Sequence, residues 1–154
     1  MNDPIFYYPP EGGGVLSELP EPEETQPVDW ESPRVLVIEE DVNTRLMLCA
    51  LLRSWNNFAL GASPYDIRAI LPLAPAFSLI ILNVQESVDT GYGVLTLLSM
   101  VEGRPPVIVL STSARHRLLL DPDLVKVVIR KPFEIQHLRE CVASLVNRVP
   151  VEHS

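Results

Sequence analysis

The sequence SLIILNV at positions 78–84 decides the fold, because it is an unbroken apolar run that delivers one polar side chain, Asn83, near its end. Three more runs share this design, at 35–38, 107–110 and 127–129, and lead in order to carboxylates, a hydroxyl and an ammonium group. Strands that are apolar throughout predict a parallel sheet buried on both faces. Such sheets carry their sites beyond the carboxyl ends of the strands, where these polar side chains fall.

The segments between these runs carry helical patterns, which predicts an α/β domain. We expect strands at 34–38, 58–62, 77–82, 106–110 and 125–129, and helices at 43–55, 64–71, 93–101, 114–120 and 134–149. Pro64 suits the first turn of its helix, where no N–H donor is needed. The chain is long enough for one such domain, which we place at 34–149.

Residues 1–33 form a separate segment by composition. They contain eight of the 20 acidic residues, none of the 12 basic residues and seven of the 15 prolines. Such a segment buries too little apolar surface to offset its ordering entropy, so we expect a disordered acidic tail. The remainder is balanced in charge, and residues 150–154 form a short C-terminal tail. Only these five residues follow the domain, so we expect no DNA-binding domain there.

Several classes of function are disfavoured by the sequence. No basic cluster indicates a nucleic-acid partner, and no apolar stretch is long enough to span a membrane. Without a secretory signal pattern, and with two distant cysteines interpreted as reduced thiols, we expect a cytoplasmic protein. No glycine-rich phosphate loop follows a strand, and no Ser/His/Asp set stands at the strand ends, so we expect no enzyme.

Together, the polar residues at the strand ends resemble the receiver domain of two-component response regulators. The resemblance covers about residues 34–149 and implies a doubly wound, flavodoxin-like sheet of five parallel strands in the order 2-1-3-4-5. It assigns Glu39 and Glu40 to the family's metal-binding acidic pair and Asn83 to the position of the phosphate-accepting aspartate. Ser111 and Lys131-Pro132 match its phosphoryl-contacting residues, and Gly91 matches a glycine that opens the third helix.

The chain departs from the family at the residue that performs the chemistry. An amide oxygen is neutral and a poor nucleophile, and it is a weaker ligand for Mg²⁺ than a carboxylate. The nearest other acids, Glu86 and Asp89, follow the strand and are not expected to replace it. Val128 stands where the family commonly has an aromatic ring. We therefore expect a pseudo-receiver with a vestigial acidic pair, no bound metal or cofactor, and Lys131 bridging a glutamate and the carbonyl of Asn83.

The predicted function is signal transduction through protein–protein contacts, independent of aspartyl phosphorylation. The resemblance implies a partner face on the fourth helix, fifth strand and fifth helix, used either for another signalling protein or for a homodimer. Its cationic candidates are Arg115, His116, Lys126 and Arg130, with Val128 between the last two. Two alternatives stay open: a phosphorelay component that docks a histidine kinase or takes phosphate at another residue, and a small α/β enzyme or ligand-binding protein.

Overall fold

The computed structural model describes residues 32–84, 89–112 and 121–146. Within them, five parallel strands form one sheet in the order β2-β1-β3-β4-β5, which confirms the predicted topology. The strands are β1 (Arg34–Ile38), β2 (Phe58–Ala62), β3 (Leu79–Val84), β4 (Val107–Ser111) and β5 (Val125–Arg130). The helices are α1 (Val42–Ser54), α2 (Ile67–Ile70), α3 (Asp89–Leu98) and α4 (Ile135–Val146).

Both faces of the sheet are buried, as the uninterrupted apolar runs predicted. Alternate residues of each strand enter opposite hydrophobic clusters, because successive side chains of a strand point to opposite faces. Leu36 and Ile80 pack on the face covered by α2 and α3. Val35 and Ile81 pack on the face covered by α1 and α4. This arrangement fixes the sheet between two helical layers and brings the carboxyl ends of its strands to one edge.

Two helical segments differ from the sequence prediction. The segment after β2 is mostly 3₁₀ helix, at Pro64–Asp66 and Leu71–Ala76, with only the short α2 between them. Pro72 and Pro75 lack N–H donors, so an α-helical ladder cannot continue through them. Helix α3 begins at Asp89 rather than 93, which places Gly91 inside its first turn. Packing against β3 overrides the low helix propensity of glycine there.

Several predictions fall on residues that the structure does not describe. They are the acidic tail up to residue 31, the helix at 114–120 with Arg115 and His116, Glu86, and the C-terminal tail. None of the helices within the described ranges combines the length and apolar composition needed to cross a bilayer.

Candidate functional site at the carboxyl ends of the strands

The polar residues singled out from the sequence meet at one edge of the sheet. Ile38, the last residue of β1, pairs with Leu82 of β3, so Glu39 follows β1 directly opposite Asn83. Asn83 in turn pairs with Leu110, one residue before Ser111. Lys131 follows β5, and its backbone N–H donates to the carbonyl of Ser111 at 2.7 Å. Strand register alone therefore assembles the candidate site from four strands.

The central contact of the site joins Lys131 to Asn83. The Lys131 ammonium donates a hydrogen bond to Oδ1 of the Asn83 side chain. Burial lowers the pKa of Lys131 below its ordinary value, while attraction to Glu39 opposes that shift. A desolvated ammonium needs an acceptor, and the amide oxygen supplies one without a second charge. The side-chain oxygen of Asn83 is thus already hydrogen-bonded by Lys131.

Glu39 is held differently from the sequence prediction. Its side chain is only 2% exposed, and Oε2 accepts a hydrogen bond from the backbone N–H of Asp41 at 2.9 Å. Its other oxygen, Oε1, has no hydrogen-bond partner among the described residues. The prediction that Lys131 bridges a glutamate and Asn83 is therefore wrong for the glutamate, since among the described residues the Lys131 ammonium hydrogen-bonds Asn83 alone and interacts with Glu39 through charge. The backbone N–H of Asp41 donates a hydrogen bond to the Glu39 carboxylate instead.

Glu40 points away from the buried part of the site. It is exposed, and its Oε2 accepts a hydrogen bond from the hydroxyl of Tyr65 at 3.2 Å. Tyr65 lies in the 3₁₀ turn after β2 and is itself 66% exposed. The two glutamates of the predicted acidic pair therefore do not converge on one point.

Helix α1 contributes two residues that the sequence analysis missed. Asp41 caps the helix, with Oδ2 accepting from both the N–H and the hydroxyl of Thr44 at 2.8 Å. These two hydrogen bonds hold the pKa of Asp41 below its usual value, and the bond from the Thr44 backbone N–H has the larger effect. Arg45 is buried and donates from a guanidinium nitrogen to the carbonyl of Glu39 at 2.6 Å. The spacing of Asp41 and Thr44 was a readable cap signal, whereas Arg45 looked like an ordinary charged helix residue.

Close packing fixes the strand that carries Asn83. Gly91 of α3 is buried against Val84, and a Cβ built on it lies 2.9 Å from Val84 Cγ2. Ser111, at the end of β4, is fully buried. The site is thus rigid on both sides of Asn83.

The residues present do not fit the divalent cation that the receiver resemblance implies. Mg²⁺ needs several oxygens in near-octahedral geometry, usually including carboxylates. Here Glu40 is turned toward Tyr65, and the Asn83 oxygen is bound by Lys131. Across the described part of the chain, no three His, Cys, Asp or Glu side chains group closely enough to hold a metal ion.

The candidate partner face is partly described. Lys126 and Arg130 of β5 are exposed, whereas Val128 between them is half-buried against the hydrophobic cluster beneath. Lys126 donates to the carbonyl of Pro122 at 3.1 Å. Strand β5 stands at the edge of the sheet. The cationic side chains of this strand therefore face outward, and Val128 serves mainly as packing.

Solved structures share this architecture. A response regulator receiver domain protein from Clostridium thermocellum superposes with a TM-score of 0.66 at 20% identity, covering 75% of this chain and 95% of that one. This chain has the receiver fold. Receiver proteins from Burkholderia phymatum (TM-score 0.60, 24% identity, 75% and 95% covered) and Pseudomonas putida (TM-score 0.63, 23% identity, 73% and 97% covered) share that receiver fold. No protein-family profile and no curated protein matches the sequence.

Proposed function

We propose that this chain is an atypical receiver domain that acts in signal transduction by binding other proteins, without phosphorylation of an aspartate. The observation that carries the proposal is the hydrogen bond from Lys131 to the side-chain oxygen of Asn83. A phosphate-accepting site needs an anionic oxygen as nucleophile and a cation to neutralise the transferring group. Here the corresponding oxygen is neutral and already engaged.

The same contact supports a single fixed state. Asn83 can accept from Lys131 without losing or gaining charge, and the ammonium keeps its attraction to Glu39. The amide of Asn83 does not titrate, so the contact needs no second charge. The domain then presents one surface to its partners, and neither cofactor nor catalysis is part of the proposal.

Phosphodonor labelling tests the proposal directly. The wild-type protein is incubated with acetyl phosphate and Mg²⁺, and acid-labile phosphate is measured by intact mass. We expect none on the wild type and slow labelling of Asn83→Asp, because that substitution restores a carboxylate nucleophile beside Ser111 and Lys131. Stoichiometric acid-labile phosphate on the wild type would overturn the proposal and favour a phosphorelay role. A metabolite that raises the melting temperature without labelling would favour the ligand-binding alternative.

The cationic edge of β5 is our proposed partner face, for another signalling protein or for a second copy of the chain. Lys126 and Arg130 are exposed there, and complementary charge steers association with an acidic partner. We expect Arg130→Glu to weaken self-association or partner binding and to reduce its salt dependence. The matched control is Arg68→Glu, an exposed arginine on α2. Equal effects of the two substitutions, measured by sedimentation or copurification, would place the interface elsewhere.

A further inference from the structure

A groove lies at the opposite end of the sheet from Asn83. It has a volume of about 290 Å³ and runs between the turn that follows α1 and the exposed side of α4. Pro33, directly before β1, is one of its lining residues. The remaining lining residues are Trp55, Asn56 and Asn57 from the turn and Arg139, Val142, Ala143 and Val146 from α4.

The walls of the groove include the aromatic ring of Trp55 and the cationic side chain of Arg139. The guanidinium carbon of Arg139 lies 5.8 Å from the centroid of the Trp55 ring, within the range of a cation–π contact. Trp55 is half-buried against the hydrophobic cluster under α1 and α4, which fixes the position of the ring. Among the described residues, Arg139 has no hydrogen bond and no carboxylate partner. Its five N–H donors are thus available to an anion.

The sequence directly before the groove has the matching chemistry. Trp30 stands three residues before Pro33 and lies between two acids, Asp29 and Glu31. Since an extended chain spans about 3.3–3.6 Å per residue, Trp30 is within roughly 10 Å of Pro33, which lines the groove. Covalent linkage also gives this segment a high effective concentration at the groove.

We propose that residues 29–31 dock in this groove, with the Trp30 indole packed beside Trp55 and a flanking carboxylate paired with Arg139. The acidic tail is then divided in two. The expectation of disorder from composition then applies to residues 1–28 alone, while the last residues before Pro33 are held on the domain. The occupied groove also covers Trp55, so another protein reaches that ring only by displacing the segment. This proposal does not depend on the chemistry at Asn83.

Fluorine NMR of the full chain labelled with 5-fluorotryptophan tests the docking. The chain has two tryptophans, and Trp30→Phe assigns their resonances. The change of the Trp30 shift between H₂O and D₂O reports its solvent exposure. We expect a smaller change than for the free amino acid, and we expect Ala143→Glu to restore the full change by placing a bulky anion in the groove. Ala50→Glu, the same substitution on an exposed position of α1, should leave Trp30 protected.

Three results would overturn the docking proposal. Trp30 could be fully solvent-exposed in the wild type. It could stay protected in a folded Ala143→Glu variant, which means that it packs elsewhere. Its protection could also be lost on dilution, which identifies the groove's occupant as the tail of a second copy. Arg139→Gln supplies a second variant that removes the charge but keeps a polar side chain, and we expect partial loss of protection in it.

Discussion

The substitution Asn83→Asp places a new negative charge between the two charged groups of the site. Glu39 stands opposite position 83 on the neighbouring strand, with its side chain almost fully buried. Lys131 already donates to the oxygen at that position. The variant therefore gains attraction to one ammonium and repulsion from one carboxylate, and its stability shows which is larger.

The sizes of both effects can be estimated from general strand geometry and electrostatics. Neighbouring strands lie about 4.8 Å apart, and two carboxylates about 5 Å apart repel by about 3 kcal/mol at an effective dielectric constant near 20. Turning the amide acceptor of Lys131 into a carboxylate strengthens that hydrogen bond by about 1 kcal/mol. Because Asn83 is only half-buried, water screens part of the repulsion. We expect the variant to be less stable than the wild type by about 1–2 kcal/mol.

Urea unfolding at neutral pH without divalent ions measures the loss. With a slope near 2 kcal/mol per molar urea, the midpoint should fall by roughly 0.5–1 M. The difference should shrink at acid pH, because protonating either carboxylate removes the repulsion. Added Mg²⁺ should raise the variant's free energy of unfolding by about 1.4 kcal/mol at ten times its Kd, because the ion binds only the folded variant. Wild type should show little such gain.

Asn56→Asp is the matched control, since Asn56 is exposed in the turn before β2 at the other end of the sheet. A variant at position 83 that is as stable as the wild type without Mg²⁺ would refute the charge argument. A wild-type protein that gains as much from Mg²⁺ as the variant would refute the conclusion that its own donor set does not fit the ion.

Two further substitutions test the packing and capping around the site. Gly91→Ala should lower the free energy of unfolding by about 1–3 kcal/mol, because the new methyl group is forced against Val84. Gly93→Ala should raise it by up to about 1 kcal/mol, because a methyl group there meets no neighbour. Chemical denaturation measures both changes. Asp41→Ala should lower the melting temperature at neutral pH, because the folded state holds the Asp41 pKa below its ordinary 3.8 through Thr44. That contribution to stability is present above pH 3.8 and is lost as the pH falls through the folded-state pKa of Asp41. The melting temperatures of wild type and variant, measured as a function of pH, should therefore converge at that acid pH.

The strands followed from the sequence because a doubly buried strand needs an apolar run and little else, whereas their order was implied only by the resemblance to receiver domains. The helix boundaries were harder, since their causes lie outside the helices. Helix α3 starts early because Gly91 packs on Val84, a contact between segments that no local pattern shows. Pro72 and Pro75 are consistent with the end of the helix predicted at 64–71, but no pattern in the sequence predicted that Leu71–Ala76 forms a 3₁₀ helix.

The positions of the site residues were predictable, and their contacts were only partly so. Strand register places Glu39 opposite Asn83, which the order of the strands implies. The burial of Arg45 was not predictable, because its stem lies against Gly61 of β2, where the missing side chain leaves room. The turning of Glu40 toward Tyr65 depends on a 3₁₀ turn that the sequence analysis had assigned to a helix.

If the proposed function holds, the hydrogen bond between Lys131 and Asn83 has a consequence for regulation. A carboxylate that takes and loses phosphate acts as a timer, whose output persists for the lifetime of the modification. An amide bound by an ammonium has no such lifetime. On the proposed function, occupancy of the partner then follows mass action, set by the two concentrations and one Kd. On that same proposal, the signal is carried by how much of the protein the cell makes, and it lasts as long as the protein does.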